Sequence, residues 1–188
     1  MLTLTIIEDK GNKVGKHELK HRYWEQNGIE LMRLPLPVGD YILLNDRVQN
    51  VIDRKNKRGI KIKKEDLCGT YNIAIDTKKD ILELCGNLTQ DHNRFKDECD
   101  HAVDLGVQLI VLVENEDGIT NLQDLHEWVN PRLLIQKYGR QVYPKATKGV
   151  TLMKQCMSME KNHGVKFLFC HPQDAGPAIA YYLTGGVG

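Results

Sequence analysis

The sequence predicts an α/β sandwich, a mixed sheet with helices on both faces. Three observations carry that expectation. Short, β-branched apolar runs alternate along the chain with segments of helical spacing. Val107-Gln108-Leu109-Ile110-Val111-Leu112-Val113 is the most hydrophobic run and reads as a central strand covered on both faces. Asn72-Ile73-Ala74-Ile75 ends abruptly in Asp76, Lys78 and Lys79, after which apolar residues recur at 81, 82, 84, 85 and 88. That stretch reads as a buried strand delivering charge to a sheet edge, followed by a helix. A chain of 188 residues makes one domain, or one domain with an appendage.

Leu2 to Ile7 alternates with threonine and reads as a strand ending at Glu8-Asp9. Lys10 to Lys16 is a polar, glycine-containing loop. A helix over roughly His17 to Gln26 is closed by Asn27-Gly28. Ile29 to Leu34 is a second strand. Pro35 and Pro37 keep the next residues extended and confine them to an edge or a bulge. Gly39 releases the backbone just before Asp40, and Tyr41 to Leu44 continues as a strand. Between Asn45 and Gly69, eight lysines and arginines face four acids. Partial alternation in Val48 to Ile52 and Ile60 to Lys63, with Arg58-Gly59 between them, predicts a basic β-hairpin over about 45–70. A solvated, charged excursion is the plainer alternative.

Beyond the helix over 81–88, Thr89 can cap a second helix running to about Leu105, with Phe95, Cys99 and Ala102 on its buried face and Gly106 at its end. Thr120-x-x-Gln123 has the form of a capping box that opens a helix carrying Leu122, Leu125 and Trp128, interrupted by Pro131. Residues 132–142 read as a short helix and a turn. Pro144 to Gly149 leads into a helix with Val150, Met153, Met157 and Glu160, closed by Asn162-His163-Gly164. Val165 to Cys170 is a further buried strand, and Gln173 to Leu183 the last helix.

The net charge of +1 gives no global attraction to nucleic acid, so any basic surface is local. Five cysteines, an odd number without CxxC spacing, suit reduced thiols in a cytoplasmic chain. No signal peptide and no bilayer-length apolar run is expected. His163 and His171 flank Cys170, but the placing of His163 at a helix end argues against zinc.

The chemistry gathers on five residues. A carboxylate and an ammonium two apart on a strand, Asp76 and Lys78, point to one side. Val38-Gly39-Asp40-Tyr41 supplies a second acid at the end of a neighbouring strand. Cleaving a phosphodiester requires neutralising phosphate charge and making hydroxide near neutral pH, and divalent cations held by carboxylates do both. Mg²⁺ keeps several waters and takes one or two carboxylates, so Asp40, Asp76 and the Thr77 carbonyl suffice as ligands. Lys78 would orient the attacking water or stabilise developing charge. Asp9 would be an outer acid. Asp53-Arg54-Lys55 offers a rival acid and lysine, but a turn follows it, whereas Asp76 has the buried strand before and the helix after.

Val38-Gly39-Asp40-Tyr41, Ile75-Asp76-Thr77-Lys78-Lys79-Asp80, Asn87-Leu88-Thr89-x-x-His92-x-Arg94-Phe95 and Val113-Glu114-Asn115 together resemble the nuclease domain of XPF-type, ERCC4-like structure-specific endonucleases. These are a branch of the PD-(D/E)xK nucleases. The resemblance spans about residues 2–115, with Gly-Asp-Tyr its most specific part. Stand-alone bacterial and phage versions of the domain look similar and share the later Pro-Lys-Ala-Thr loop. The resemblance implies a restriction-endonuclease-like αβα sandwich, a nuclease core over 1–115 and a C-terminal α/β extension over 116–188 on the same domain. It places the metal-binding aspartate on Asp40, the second acid on Asp76, the catalytic lysine on Lys78 and the first-strand acid on Asp9. It also implies Mg²⁺ or Mn²⁺, branched or flap-like DNA, and a homodimer through the nuclease domain. The family's usual Glu-Arg-Lys is Asp-Thr-Lys here, and Lys10-Gly11 stands where an arginine is usual.

DNA contacts are expected from Lys79, from His92 and Arg94 at a helix start that attracts phosphate, from Arg54, Lys55, Lys57 and Arg58 of the basic segment, and from Lys145 and Lys148 before another helix start. A nuclease-fold DNA-binding or regulatory module with weak or lost catalysis is the alternative from a different class, and a protein-interaction domain is a third.

Overall fold

The structure, a computed structural model, describes residues 4–13, 15 and 17–186. Leu2 and Thr3 of the first expected strand, and Val14 and Lys16 of the loop after it, lie outside the described residues. In chain order the elements are β1 (Thr5–Asp9), α1 (Glu18–Gln26), β2 (Glu30–Leu34), β3 (Tyr41–Leu43), α2 (Asp46–Lys57), β4 (Ile73–Lys78), α3 (Ile81–Thr89), α4 (His92–Asp104), β5 (Gln108–Glu114), a small β6 (Gln136–Lys137) and β7 (Arg140–Gln141), α5 (Gly149–His163), β8 (Lys166–Cys170) and α6 (Ala175–Leu183). Short 3₁₀ turns lie at Lys64–Leu67, Gln123–His126, Pro131–Leu134 and Pro172–Asp174.

Six strands form one mixed sheet in the order β2-β1-β3-β4-β5-β8. β1 pairs with β2 in parallel, and β4, β5 and β8 pair in parallel with one another. β3 is antiparallel to both β1 and β4. All strands but β3 therefore point the same way, and the C-terminal ends of β1, β4 and β5 share one sheet edge with the start of β3. Period-two alternation then divides the side chains between two cores. Ile7, Ile42, Ala74, Val111 and Phe167 pack with residues of α2, α3, α4 and α5, whereas Ile6, Tyr41, Ile75 and Leu112 pack with Trp24 of α1 and Ile179 of α6. Among the described residues, no helix is long and apolar enough to cross a membrane.

The expected basic β-hairpin over 45–70 does not form. Its first half is the 12-residue helix α2. Asn45 caps it by accepting a hydrogen bond from the Val48 amide at 3.0 Å, and Val48, Val51 and Ile52 are buried at helical spacing. The cap and the burial of that stripe override the strand preference of Val and Ile. The last turn carries Arg54, Lys55 and Lys57, where the helix dipole favours cations. Residues 60–63 then run without regular structure into the turn at Lys64–Leu67, and Asp66 pairs with Lys55 at 2.6 Å.

Two caps also differ. Thr89 ends α3 rather than opening α4, because its hydroxyl donates back to the Cys85 carbonyl at 2.7 Å. The helix expected after Thr120 is a single 3₁₀ turn. Asp124 takes the role expected of Gln123: its carboxylate accepts the Thr120 amide and hydroxyl, each at 2.8 Å.

Candidate active site

Gly39 sets the approach of two strands. Its φ of +76° lies in the left-handed region. A Cβ there would sit 2.8 Å from the Ala74 Cβ and 3.2 Å from the Ile75 carbonyl oxygen, so a side chain has no room. The next residue is sewn in on both sides: the Asp40 amide donates to the Ile75 carbonyl at 2.8 Å, and the Asp9 amide donates to the Asp40 carbonyl at 2.7 Å. The Asp40 side chain then reaches along β4. Its Oδ2 accepts the Thr77 amide at 2.8 Å and the Thr77 hydroxyl at 2.6 Å. Oδ1 accepts no hydrogen bond among the described residues.

Alternation along β4 sends Asp76 and Lys78 to the face covered by α2–α5, and both are buried. Asp76 Oδ2 lies 2.6 Å from Lys78 Nζ, an ion pair between two buried groups. The Lys78 ammonium also stands 5.5 Å from the centroid of the Phe95 ring on α4, a cation–π contact. One turn further on, Glu98 is close enough to act on both charges. Burial raises the Asp76 carboxyl to about 7; Lys78 opposes that shift, and Asp40 and Glu98 add to it. Burial pulls the Lys78 amine down, but Asp76, Glu98 and Asp40 outweigh it and leave it above its ordinary value. The charges of three carboxylates, Asp76, Asp40 and Glu98, thus act on one ammonium, with Asp76 and Lys78 themselves buried. Asp40 thus meets β4 at Thr77, between the paired Asp76 and Lys78.

Asp9 does not join them by a direct bond. Its carboxylate is engaged by the Leu36 amide at 2.8 Å and the Gly11 amide at 3.1 Å, tying down the loops on either side of the edge. The rival Asp53 lies on the exposed side of α2, where Gln49 donates to it at 2.7 Å. Behind the sheet, the buried Glu8 accepts the Tyr41 hydroxyl at 3.1 Å and lies 3.0 Å from Arg33 Nε and 3.2 Å from His21 Nε2. Buried Lys20 pairs with Glu114. Burial, with Glu8 and Asp40 nearby, pushes the Tyr41 phenol well up, so it stays a neutral donor.

The expected basic residues are at the surface. Lys79 is exposed beside β4, 3.9 Å from Asp80, whose own carboxylate caps α3 through the Glu83 amide at 2.7 Å. His92 and Arg94 are exposed in the first turn of α4, with Arg94 3.6 Å from Asp91. Arg54, Lys57 and Arg58 are exposed at the end of α2, and Lys145 and Lys148 before α5. A groove of about 260 Å³ lined by Lys10, Arg33, Pro35, Asn56 and Lys61 joins the end of α2 to the ends of β1 and β2, at the same edge as the acids.

Sequence reasoning missed Glu98 and the Thr77 hydroxyl. Glu98 had a signal, as the one acid on the apolar stripe of Phe95, Cys99 and Ala102. Thr77 stands where the resemblance expects arginine, and its hydroxyl holds Asp40 instead.

The sequence model of the ERCC4 domain matches residues 12–178. No curated protein gives a significant match. Among solved structures, XPF from Aeropyrum pernix is similar, with a TM-score of 0.56 at 12% identity. The match covers 97% of this chain and 66% of that one, so the chain spans just under two thirds of that protein's length.

Proposed function

The chain belongs to the ERCC4 domain family, and on that premise we propose that it is a metal-dependent DNA endonuclease, hydrolysing phosphodiester bonds at branched or flap-like DNA. One observation carries the reading: the Asp40 carboxylate is docked on Thr77, the residue between Asp76 and Lys78, which are themselves paired in a buried pocket.

Asp40, Asp76 and the Thr77 carbonyl would hold Mg²⁺ or Mn²⁺. The donor set fits. It offers hard oxygens, Asp40 Oδ1 accepts no hydrogen bond among the described residues, and the surplus of carboxylates over ammonium calls for another cation. The Thr77 carbonyl points toward β3, because its amide bonds there and a strand residue sends both groups to one side. Among the described residues, no three acid, histidine or cysteine side chains form a closed metal cage, which suits an ion that keeps several of its waters. When bound, the ion supplies phosphate neutralisation and a water of lowered pKa. Lys78, fixed by Asp76 and Phe95, orients the attacking water and stabilises the charge that develops on the phosphate. Asp9 acts from the outer layer by holding the 9–11 and 35–40 backbone. Arg54, Lys55, Lys57, Arg58, Lys79, His92, Arg94, Lys145 and Lys148 supply salt-sensitive contacts to the DNA backbone, and two chains pair through the nuclease domain.

Cleavage of end-labelled flap, fork and plain duplex DNA, with and without Mg²⁺ or Mn²⁺, tests this. Wild type should cut only with metal, and Asp76→Ala should lose about a hundredfold or more in rate. Equal behaviour of the two proteins removes the enzyme reading.

A further inference from the structure

The excursion between β5 and α5 ends in Lys145 and Lys148, already assigned to DNA, and carries before them a hairpin that the proposed site does not use. β5 ends at the sheet edge of Asp76 and Lys78, and α5 sets out from that same edge toward β8. The residues between them therefore lie at the catalytic end of the sheet. Their base is firmly docked. Buried Asn130 donates to the Thr147 carbonyl at 2.9 Å and accepts from the Arg132 amide at 3.0 Å, pinning both ends of the excursion together. Buried Trp128 donates to Asp117 at 3.0 Å.

From that base the β6–β7 hairpin projects, and its local chemistry is unfavourable in three respects. Tyr138 at the tip has φ +52°, followed by Gly139 at +73°. This is a two-residue turn of the type that favours Asn-Gly, and a bulky residue at positive φ is an outlier. Tyr138 is 92% exposed. Lys137 and Arg140 are paired directly across the two strands, an arrangement of like charges that destabilises a hairpin. Leu134 and Tyr143 beside it are also exposed. Residues 128–148 contain five lysines and arginines and not one acid, in a chain whose net charge is +1. Among the described residues no acid pairs with Lys137 or Arg140, whereas an anionic partner with flat apolar faces would satisfy both the charge and the ring. Broken local rules of this kind mark functional sites.

We propose that the β6–β7 hairpin is a second DNA-binding element, in which Tyr138 stacks on an unpaired base while Lys137 and Arg140 bind the flanking phosphates. This deepens the nuclease reading and rests on it for the choice of DNA. An aromatic plane within a basic strip is the general means of holding single-stranded nucleic acid, since every base has a face to stack on. The hairpin would engage the point where strands separate, and the duplex would extend past the acids. Lys137 Nζ stands 5.5 Å from the Tyr138 ring centroid, so charge and stacking surface are presented together.

The test uses the full chain in EDTA and a forked DNA carrying 2-aminopurine at the first unpaired position. Wild type should quench the probe. Tyr138→Ala should bind the fork about tenfold more weakly and lose the quenching, whereas Tyr138→Phe should keep both. Tyr138→Asn suits the turn better, so it should melt no lower than wild type while binding as poorly as Tyr138→Ala. Wild-type affinity and quenching in Tyr138→Ala overturn the proposal. So does a concentration-dependent dimer that Tyr138→Ala dissociates, because the surface then belongs to a second copy of the chain. A wild type that binds no fork overturns it too. The nuclease reading fails separately: a protein that quenches the probe but never cleaves with Mg²⁺ loses that reading and keeps the hairpin.

Discussion

Replacing Gly39 by alanine adds a single carbon, and the geometry around it predicts a large effect. Left-handed backbone costs an L-residue about 1–2 kcal/mol. The new Cβ would also stand 2.8 Å from the Ala74 Cβ and 3.2 Å from the Ile75 carbonyl oxygen. Those atoms cannot retreat, because Ala74 and Ile75 are paired to Leu109 and Ile110 of β5 on their other side. Forcing a methyl into such a site adds about 1–3 kcal/mol, so the expected loss is about 3 kcal/mol, read from urea unfolding. Relaxation would have to come from the Asp40 amide bond to Ile75, which carries the Asp40 carboxylate away from Thr77. A shift of about 1 Å at a catalytic group costs about a hundredfold in rate, so cleavage should fall by that order even where the variant is fully folded. Ala74→Gly in the same background removes the closest contact but not the φ cost. The double-mutant cycle should therefore show a favourable coupling of about 1 kcal/mol. A Gly39→Ala protein within about 0.5 kcal/mol of wild type, cutting at the wild-type rate, would refute the reasoning.

Removing one member of the Asp76–Lys78 pair leaves a buried charge without its partner. Lys78→Met should cost about 3 kcal/mol, while the double variant Asp76→Asn/Lys78→Met should regain most of it and stay inactive; chemical denaturation of the three proteins decides. Gly149→Ala should destabilise by about 3 kcal/mol in thermal melts, although alanine is the better helix former. A Cβ there would lie 2.1 Å from the Leu125 carbonyl oxygen and 2.4 Å from that of Trp128. Hydrogen bonds from the Thr120 amide hold the Asp124 carboxyl below its ordinary range, helped by the Thr120 hydroxyl and Asn121. That contribution is present above the unfolded pKa of 3.8 and lost as pH falls through the lower folded value. Asp124→Asn should therefore melt below wild type at pH 7, and the gap should close toward pH 2.

Much of the sheet was legible because each strand carries one dominant pattern. Val107 to Val113 is apolar but for Gln108 and covered on both faces, and Ile73 to Ile75 is a short apolar run that ends where its charges begin, so β4, β5 and the shared side of Asp76 and Lys78 followed from spacing. Residues 45–58 defeated the same method. Val48, Val51 and Ile52 satisfy a helical stripe, but Val-x-x-Val-Ile among charges also samples period two, and the decision lay in the Asn45 cap and in burial against the core. Residues 120–126 show the converse, where a capping-box spelling belonged to a single turn because Asp124 competed for the same donors. Asp9 looked like an outer acid of the site from its place at a strand end, yet two backbone amides already occupy its carboxylate. The place of Glu98 on the apolar stripe of α4 marked it as facing inward, but its proximity to Asp76 depends on how α4 lies across β4, which no local spacing encodes.

The one reversed strand has a mechanical consequence. β3 meets β4 at a single paired position, Tyr41 opposite Ile75, whereas β4 and β5 are laddered over six. Asp40 belongs to one side of this lightly stitched line and Asp76 to the other. Asp40 reaches over that line with its amide on Ile75 and its carboxylate on Thr77, so flexing between the two halves of the sheet would load these three bonds first. A cation held by both would act as a clasp across the join, so its binding should stiffen the whole domain along with arming the chemistry.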